Sequence, residues 1–373
     1  MTFAIITHVP HSTSQNQYFA YAPYVREMNL WVKHVNKTII VAPKTSNKPS
    51  IIDLAYQHEN IQFNEIPAIQ FISFKNCFSS LIKLPVIIWT IFKACRNADH
   101  IHLRCPGNIG LLGCFVQMLF PKKIKTAKYA GNWDPKAKQP ISYKLQKWIL
   151  SNTFLTKNMQ VLVYGDWENQ TKNIKPFFTA TYSNSEIEVP QIRDYSNELN
   201  FIFVGSLAEG KRPLLAIQIV EALKKKGKQV QLDMYGDGIL KEALEQYVLS
   251  NHLENVVKLH GNQEKNIVKE ALKNAHFLLL LSKSEGWPKA VAEAMFFGVI
   301  PITTSVSCVP FMLQNGERGI LIEPELSHAL NSINKAVNNE ASLKMMSKLA
   351  SNWSQYYTME LFDDEIYKQL KKG

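Results

Sequence analysis

Short runs of Ile, Val, Phe and Leu recur along the chain. Each is followed by a longer stretch in which apolar residues return every three or four positions. The runs read as strands buried on both faces, and the stretches as amphipathic helices. In the first half the strand pattern falls at residues 3–7, 38–42, 100–103, 126–130 and 160–163, with a helical stretch at 18–34. In the second half strands are predicted at 201–204, 229–235, 256–260, 277–281 and 300–303. Helices are predicted between them at 214–226, 240–250, 264–274 and 290–297. Strand–helix alternation implies parallel sheets covered by helices, and two such series imply two doubly wound α/β domains. The join is placed in residues 186–200, which are polar, contain Pro190 and lack periodicity. The last stretch, 341–372, is helical and has no strand of its own. The expected division is 1–190, 198–345 and a closing segment 346–373. No repeat or low-complexity tract interrupts it.

Composition is that of a folded protein: 46% hydrophobic and 20% charged residues among 373. The net charge of +11 is lopsided. Residues 1–197 hold 22 Lys and Arg against 11 Asp and Glu, whereas residues 198–373 hold 20 of each. A basic excess points to an acidic partner, and it belongs to the first half. Cys77, Cys95, Cys105, Cys114 and Cys308 are odd in number and form no CxxC pair, which suggests free thiols in a reducing compartment. Residues 1–7 are apolar but show no basic n-region and no small-residue cleavage site, and read as a strand, not a leader. The apolar stretch at 84–92 is too short to span a bilayer. The expectation is a cytoplasmic protein, at most peripheral on a membrane.

Four motifs in the second half point to chemistry. The strand Phe201-Ile-Phe-Val ends in Gly205-Ser206, and Lys211-Arg212 precede the next helix. A glycine admits a ligand close to the backbone, and cations at a helix start suit a phosphate. Read alone this is an ordinary βα turn. Gly236-Asp237-Gly238 follows a second strand and is by itself a turn signal. The sharpest motif is Ser282-Lys-Ser284-Glu285-Gly286-Trp287-Pro288-Lys289, running into a helix that carries Glu293. It places a loop acid, backbone N–H groups and a helical acid at the carboxyl end of a strand, where open α/β sheets bind ligands. Gly298-Val-Ile-Pro301, Asn315-Gly316 and Gly319 read as fold punctuation.

Taken in order, these motifs resemble the retaining GT-B glycosyltransferases, group 1, over roughly residues 201–324. The resemblance implies two Rossmann-like domains, with the final helix returning to the first. It implies a nucleotide-sugar donor on the C-terminal domain, an acceptor on the N-terminal domain, and transfer with retention. Glu285 would hold hydroxyls of the donor sugar, and Lys211 would neutralise the leaving diphosphate. Glu293 would bond the ribose, and amides after Gly286 would meet the diphosphate. Gly205, Ser206, Arg212, Gly236, Asp237, Gly238, Ser284, Trp287, Pro288 and Lys289 complete the expected donor site. No metal or other cofactor is expected, since the cations and amides serve the diphosphate. The sequence departs from the family pattern in three places. Ser206 stands where an Arg is usual, with Arg212 the candidate replacement. Pro288 stands where Gly is frequent. The segment Tyr129-Ala-Gly-Asn132-Trp133-Asp134-Pro135 lacks the family's histidine.

On the acceptor side the candidates are His8 and His11 after the first strand, Arg104 at a strand end, and Asn132, Trp133 and Asp134. Arg104 reads equally as a phosphate contact or a salt bridge. Residues 122–147 hold eight lysines and one acid, with Trp133, Tyr143 and Trp148 interleaved. That segment suggests a surface for anionic lipid headgroups or a solvated face; no nucleic-acid motif accompanies it. Residues 81–92 read as a buried helix, with membrane contact as the alternative. The implied acceptor is a glycan or a lipid-linked sugar in cell-envelope polysaccharide assembly. Two other readings stand: a nucleotide-sugar epimerase of the same fold, and a non-catalytic binding scaffold.

Overall fold

The computed structural model describes residues 1–50, 52–69 and 74–371, with side chains described for all of these except 74–79. Cys77 lies outside the described side chains; Cys95, Cys105, Cys114 and Cys308 are buried free thiols. The chain divides into two compact units, Met1–Phe178 with Phe362–Gly373, and Thr179–Leu361.

In the first unit the order is β1 (Thr2–Ile6), β2 (Ser12–Ser14), β3 (Gln17–Tyr21), α1 (Ala22–Val32), β4 (Lys37–Pro43), β5 (Asp53–Ala55), β6 (Ile61–Ile66), α2 (Phe74–Asn97), β7 (His100–Cys105), α3 (Asn108–Val116), β8 (Ile124–Tyr129), α4 (Ile141–Ser151), β9 (Met159–Tyr164) and β10 (Ile174–Phe177). Seven strands pair in the order β10-β9-β8-β7-β1-β4-β6, all parallel. Burial on both faces explains runs such as Phe3-Ala-Ile-Ile, every residue of which is buried.

The loop after β1 is not simply polar coil. It leads into a small antiparallel sheet, β2-β3-β5, whose first two strands are joined by a turn at Gln15-Asn16 with both residues at positive φ. The helix expected from residue 18 therefore starts at Ala22, beside Pro23, because Tyr18 and Phe19 are used in a strand.

The second unit runs β11 (Leu199–Val204), α5 (Pro213–Lys225), β12 (Val230–Tyr235), α6 (Lys241–Ser250), β13 (Val257–Gly261), α7 (Lys265–Asn274), β14 (Phe277–Leu280), α8 (Lys289–Phe296), β15 (Ile300–Thr304), α9 (Val309–Met312), β16 (Ile320–Ile322), α10 (Leu326–Val337) and α11 (Glu340–Ser354). Its six strands are parallel in the order β13-β12-β11-β14-β15-β16. One apolar cluster of its interior is built around Phe201, Phe203, Ile217, Leu232, Phe277 and Ile302.

The unit boundaries differ from those expected. Residues 179–190 go with the second unit, where the Glu186 carboxylate pairs with Lys269 at 2.9 Å. Residues 346–361 go there too, because Ser347 Oγ donates to the Gly298 carbonyl and Ser354 Oγ to that of Ala292. The last helix, α12 (Met359–Lys371), joins the first unit from Phe362 onward. There Phe362 packs on Phe177 and Phe178, and Asp363 pairs with Lys33 and His34.

Candidate functional site

In the second unit the motifs converge at the carboxyl ends of β11, β12 and β14. The first two loops fit together through glycines. At Gly236, with φ of 137°, an added Cβ would lie 1.9 Å from the Gly205 carbonyl oxygen; at Gly238 it would lie 2.5 Å from that of Leu207. No side chain fits either contact, so the glycines are required by close approach. Backbone bonds from Gly205 N to Tyr235 O and from Leu207 N to Asp237 O, both 2.9 Å, lock the pair. The Asp237 carboxylate accepts from Gly238 N at 2.7 Å. Ser206 is exposed at the loop's tip.

The first loop is also tied to the third. Lys283 N donates to the Gly210 carbonyl at 2.8 Å, and Arg212 Nη1 to the Leu281 carbonyl at 2.9 Å. Arg212 is thus an anchor between the two loops, a different placement from the replacement cation expected. Lys211 is the cation that reaches the site. Its Nζ contacts Glu285 Oε1, and the Glu285 side chain is only 9% exposed. The two residues expected to be catalytic therefore meet, although 74 positions separate them.

Beyond Glu285 the loop turns at Gly286, whose carbonyl accepts from Cys308 Sγ at 3.1 Å and Ser307 Oγ at 3.4 Å. Pro288 caps α8, and Lys289 is its first residue. Ser284 is exposed beside them. Trp287 is placed otherwise than expected. Its ring is buried against Trp353 and Tyr357, so it packs α11 onto the loop rather than facing a ligand. Glu293 Oε1 accepts from Thr181 Oγ1 at 2.8 Å. Thr181 was not signalled by any motif. Also unsignalled is the stack of Tyr235 on His260, centroids 4.6 Å apart, with His260 Nε2 2.6 Å from Asp233 Oδ1.

In the first unit the acceptor candidates separate. His8 stays at the carboxyl end of β1, on the rim of a cavity of about 380 Å³ with Pro43, Ile69, Asn108 and Tyr143. Burial of its ring and, after that, the Arg104 charge lower its pKa. An added Cβ at Gly107 would fall 2.8 Å from His8 Nδ1. His11 is fully buried, with Nδ1 2.8 Å from the Val9 carbonyl and Nε2 3.0 Å from the Tyr56 hydroxyl. Burial brings its pKa to about 4, so it is a neutral core residue and not a contact for acceptor.

Arg104 is also buried. It donates to Glu27 at 2.5 and 3.5 Å and lies over the Tyr24 ring. Of its two readings the structure supports the ion pair. Trp133 is 1% exposed, edge-on to Tyr129, with Nε1 donating to Gln170. Asn132 Oδ1 accepts from Asp134 N, and Asp134 Oδ1 from Lys136 N, so both side chains shape the turn.

The lysine segment is not one surface. Lys125 and Lys128 are fully buried, their ammonium groups on the Gln117, Phe120 and Phe178 carbonyls. Lys123 and Lys147 are bonded to carbonyls of Ala98 and Trp133. Burial lowers the pKa of Lys125 and of Lys147 to about 8. Lys122, Lys136, Lys138 and Lys144 remain exposed.

Residues 184–353 match the sequence family described as Glycosyl transferases group 1. The chain is 24% identical over 280 residues to the 2-deoxystreptamine N-acetyl-D-glucosaminyltransferase of Niallia circulans, covering 68% of this chain and 71% of that one. Other curated relatives match over half of their own length or less. The structure is similar to the apo form of the lipopolysaccharide outer core galactosyltransferase WaaB, with a TM-score of 0.72, 16% identity and 99% of each chain covered. It is also similar to Anabaena HepE in complex with UDP and glucose, with a TM-score of 0.66, 13% identity and coverage of 100% of this chain and 99% of that one. Residues 184–353 therefore form a Glycosyl transferases group 1 domain, in a chain whose two parallel sheets have the fold of the GT-B glycosyltransferases.

Proposed function

We propose that the second unit binds a nucleotide sugar and that the chain transfers the sugar to an acceptor hydroxyl with retention. The observation that carries this is the meeting of Lys211 with Glu285 beside the turn into α8. In transfer, the bond between the anomeric carbon and the diphosphate oxygen breaks, and negative charge develops on the leaving group. A preorganised ammonium and the first amides of α8 stabilise that charge where it forms. A dianionic diphosphate competes with Glu285 for Lys211, freeing the carboxylate to accept from sugar hydroxyls. Glu293, steadied on one oxygen by Thr181, offers its other oxygen to a ribose hydroxyl. For retention the acceptor oxygen attacks from the leaving-group face, and its proton passes to the departing phosphate oxygen. These groups serve the diphosphate without a metal.

The cavity beside His8 and Tyr143 is the proposed acceptor site, at the carboxyl end of the first sheet, where open α/β sheets take ligands. The WaaB neighbour, a lipopolysaccharide outer core galactosyltransferase, and the UDP and glucose in the HepE complex support a nucleotide sugar and a cell-surface glycan or lipid-linked acceptor. The test is product analysis with a nucleotide-sugar panel and envelope glycan extracts. Expected are nucleoside diphosphate release and a new glycoside of unchanged anomeric configuration, reduced about 10²–10³-fold in Lys211→Ala and strongly reduced in Glu285→Ala. Epimerised donor without transfer would support the epimerase, and binding without turnover the scaffold.

A further inference from the structure

One helical layer of the first unit carries features that glycosyl transfer does not use. Strand order β6, β7, β8, β9 moves one way across the sheet, so the right-handed crossovers place α2, α3 and α4 on the same face. The step from β1 to β4 moves the other way and puts α1 opposite. Within the layer α2 packs on α3, and α3 on α4.

The outward side of this layer is apolar. On α2, Ile82, Val86 and Trp89 recur at helical spacing and are exposed, Trp89 by 56%. Phe115 and Leu119 are exposed at the end of α3. On α4, Ile141, Leu145 and Trp148 repeat the pattern, exposed by 85%, 38% and 61%. A buried helix was expected at residues 81–92; it buries Ile87, Ile91 and Cys95 and leaves its opposite side uncovered.

The charge around this surface has one sign. Residues 66–165 contain 14 Lys and Arg and two acids, Asp99 and Asp134. Their balance is +12, or +9 without the buried Arg104, Lys125 and Lys128. No acid lies on α2, α3 or α4. The exposed cations on or beside them include Lys93, whose ammonium lies over the Trp89 ring, Lys122 and Lys144. An apolar protein partner would also cover Ile82 and Trp148, but it gives no reason for acids to be absent from all three helices. Trp rings flanked by lysines, on a face cleared of negative charge, match the interface of an anionic bilayer.

We infer that the outer side of α2, α3 and α4 docks on an anionic lipid bilayer, with Trp89 and Trp148 at headgroup depth and the lysines on the phosphates. Among the described residues no helix is long and apolar enough to cross a membrane, so the contact is peripheral. The inference does not depend on the chemistry proposed for the second unit.

The test uses the full chain with vesicles of equimolar phosphatidylglycerol and phosphatidylcholine at low salt, with brominated acyl chains for fluorescence. The protein sediments with these vesicles, and not with pure phosphatidylcholine, and the bromines quench its tryptophan emission. In Trp89→Phe/Trp148→Phe, sedimentation persists and the quenching disappears, because no other tryptophan lies on α2, α3 or α4. Replacing Lys93, Lys122 and Lys144 by Gln weakens binding on the order of a hundredfold, about fivefold for each. Ile82→Glu/Trp148→Glu abolishes it with thermal unfolding unchanged, since both side chains are exposed. Equal sedimentation of the wild type and Ile82→Glu/Trp148→Glu overturns the proposal. So does the absence of vesicle binding, or self-association without lipid that this same variant abolishes, which would assign the face to a second copy of the chain.

Discussion

Arg104 ends β7 with its guanidinium over Tyr24 and two nitrogens on Glu27, and both side chains are buried. Removing one partner strands the other charge out of water. Arg104→Met is expected to cost about 3–5 kcal/mol in denaturant unfolding, and Glu27→Leu in the same background to recover part of it. A phosphate-binding arginine would instead lose affinity with stability unchanged. His11 and His100 are likewise held neutral by burial, with pKa lowered to about 4 and about 3. Their ordinary value is about 6.5, so between that and the folded values only the unfolded chain takes up the proton. Stability therefore falls as pH drops from about 6.5 to 4, by about 1.4 kcal/mol per pH unit for each histidine. Urea midpoints at pH 7 and pH 5 read this, and His100→Gln shallows the slope. The closest backbone approach is at Gly236. Gly236→Ala is expected to lower stability by about 1–3 kcal/mol or more and to weaken nucleotide binding, because its loop must move off Gly205.

The strands that were legible as apolar runs are mainly interior ones, such as β1, β11 and β14, buried on both faces. In the two large sheets those that were not, β6, β10 and β16, lie at the edges. An edge strand is partly wetted, and Ile61-Gln-Phe-Asn-Glu-Ile shows the mixture that results. Helix α2 was legible as a helix, but its periodicity does not say whether the second apolar side is covered. The polar stretch 186–200 was read as a join, yet much of it is fastened to the second unit by one side chain. Arg193 donates to the carbonyls of Gln191, Lys273, Ala275, Phe297 and Gly298. Arg193→Met leaves buried carbonyls unsatisfied. It is expected to destabilise the second unit by about 2–4 kcal/mol, seen as early loss of amide exchange protection in β14 and β15.

At the scale of the molecule, the motifs of the proposed donor site were legible because each sits in the loop directly after a parallel strand. The proposed acceptor side was not, because residue type alone does not report burial, and burial took His11, Arg104 and Trp133 into the core. The charge shows the same limit. Its excess was visible in the sequence, while the division of the lysines at 122–147 between core and surface depends on packing. The central claim is that Lys211 and Glu285 form the diphosphate end of a nucleotide-sugar site. Calorimetric titration of the full chain with UDP, GDP and ADP tests it most directly. One of the three is expected to bind the wild type and to bind Lys211→Ala at least tenfold more weakly, with thermal unfolding of the variant unchanged. Equal affinity of the two proteins for that nucleotide, or no binding of any of the three, would contradict it.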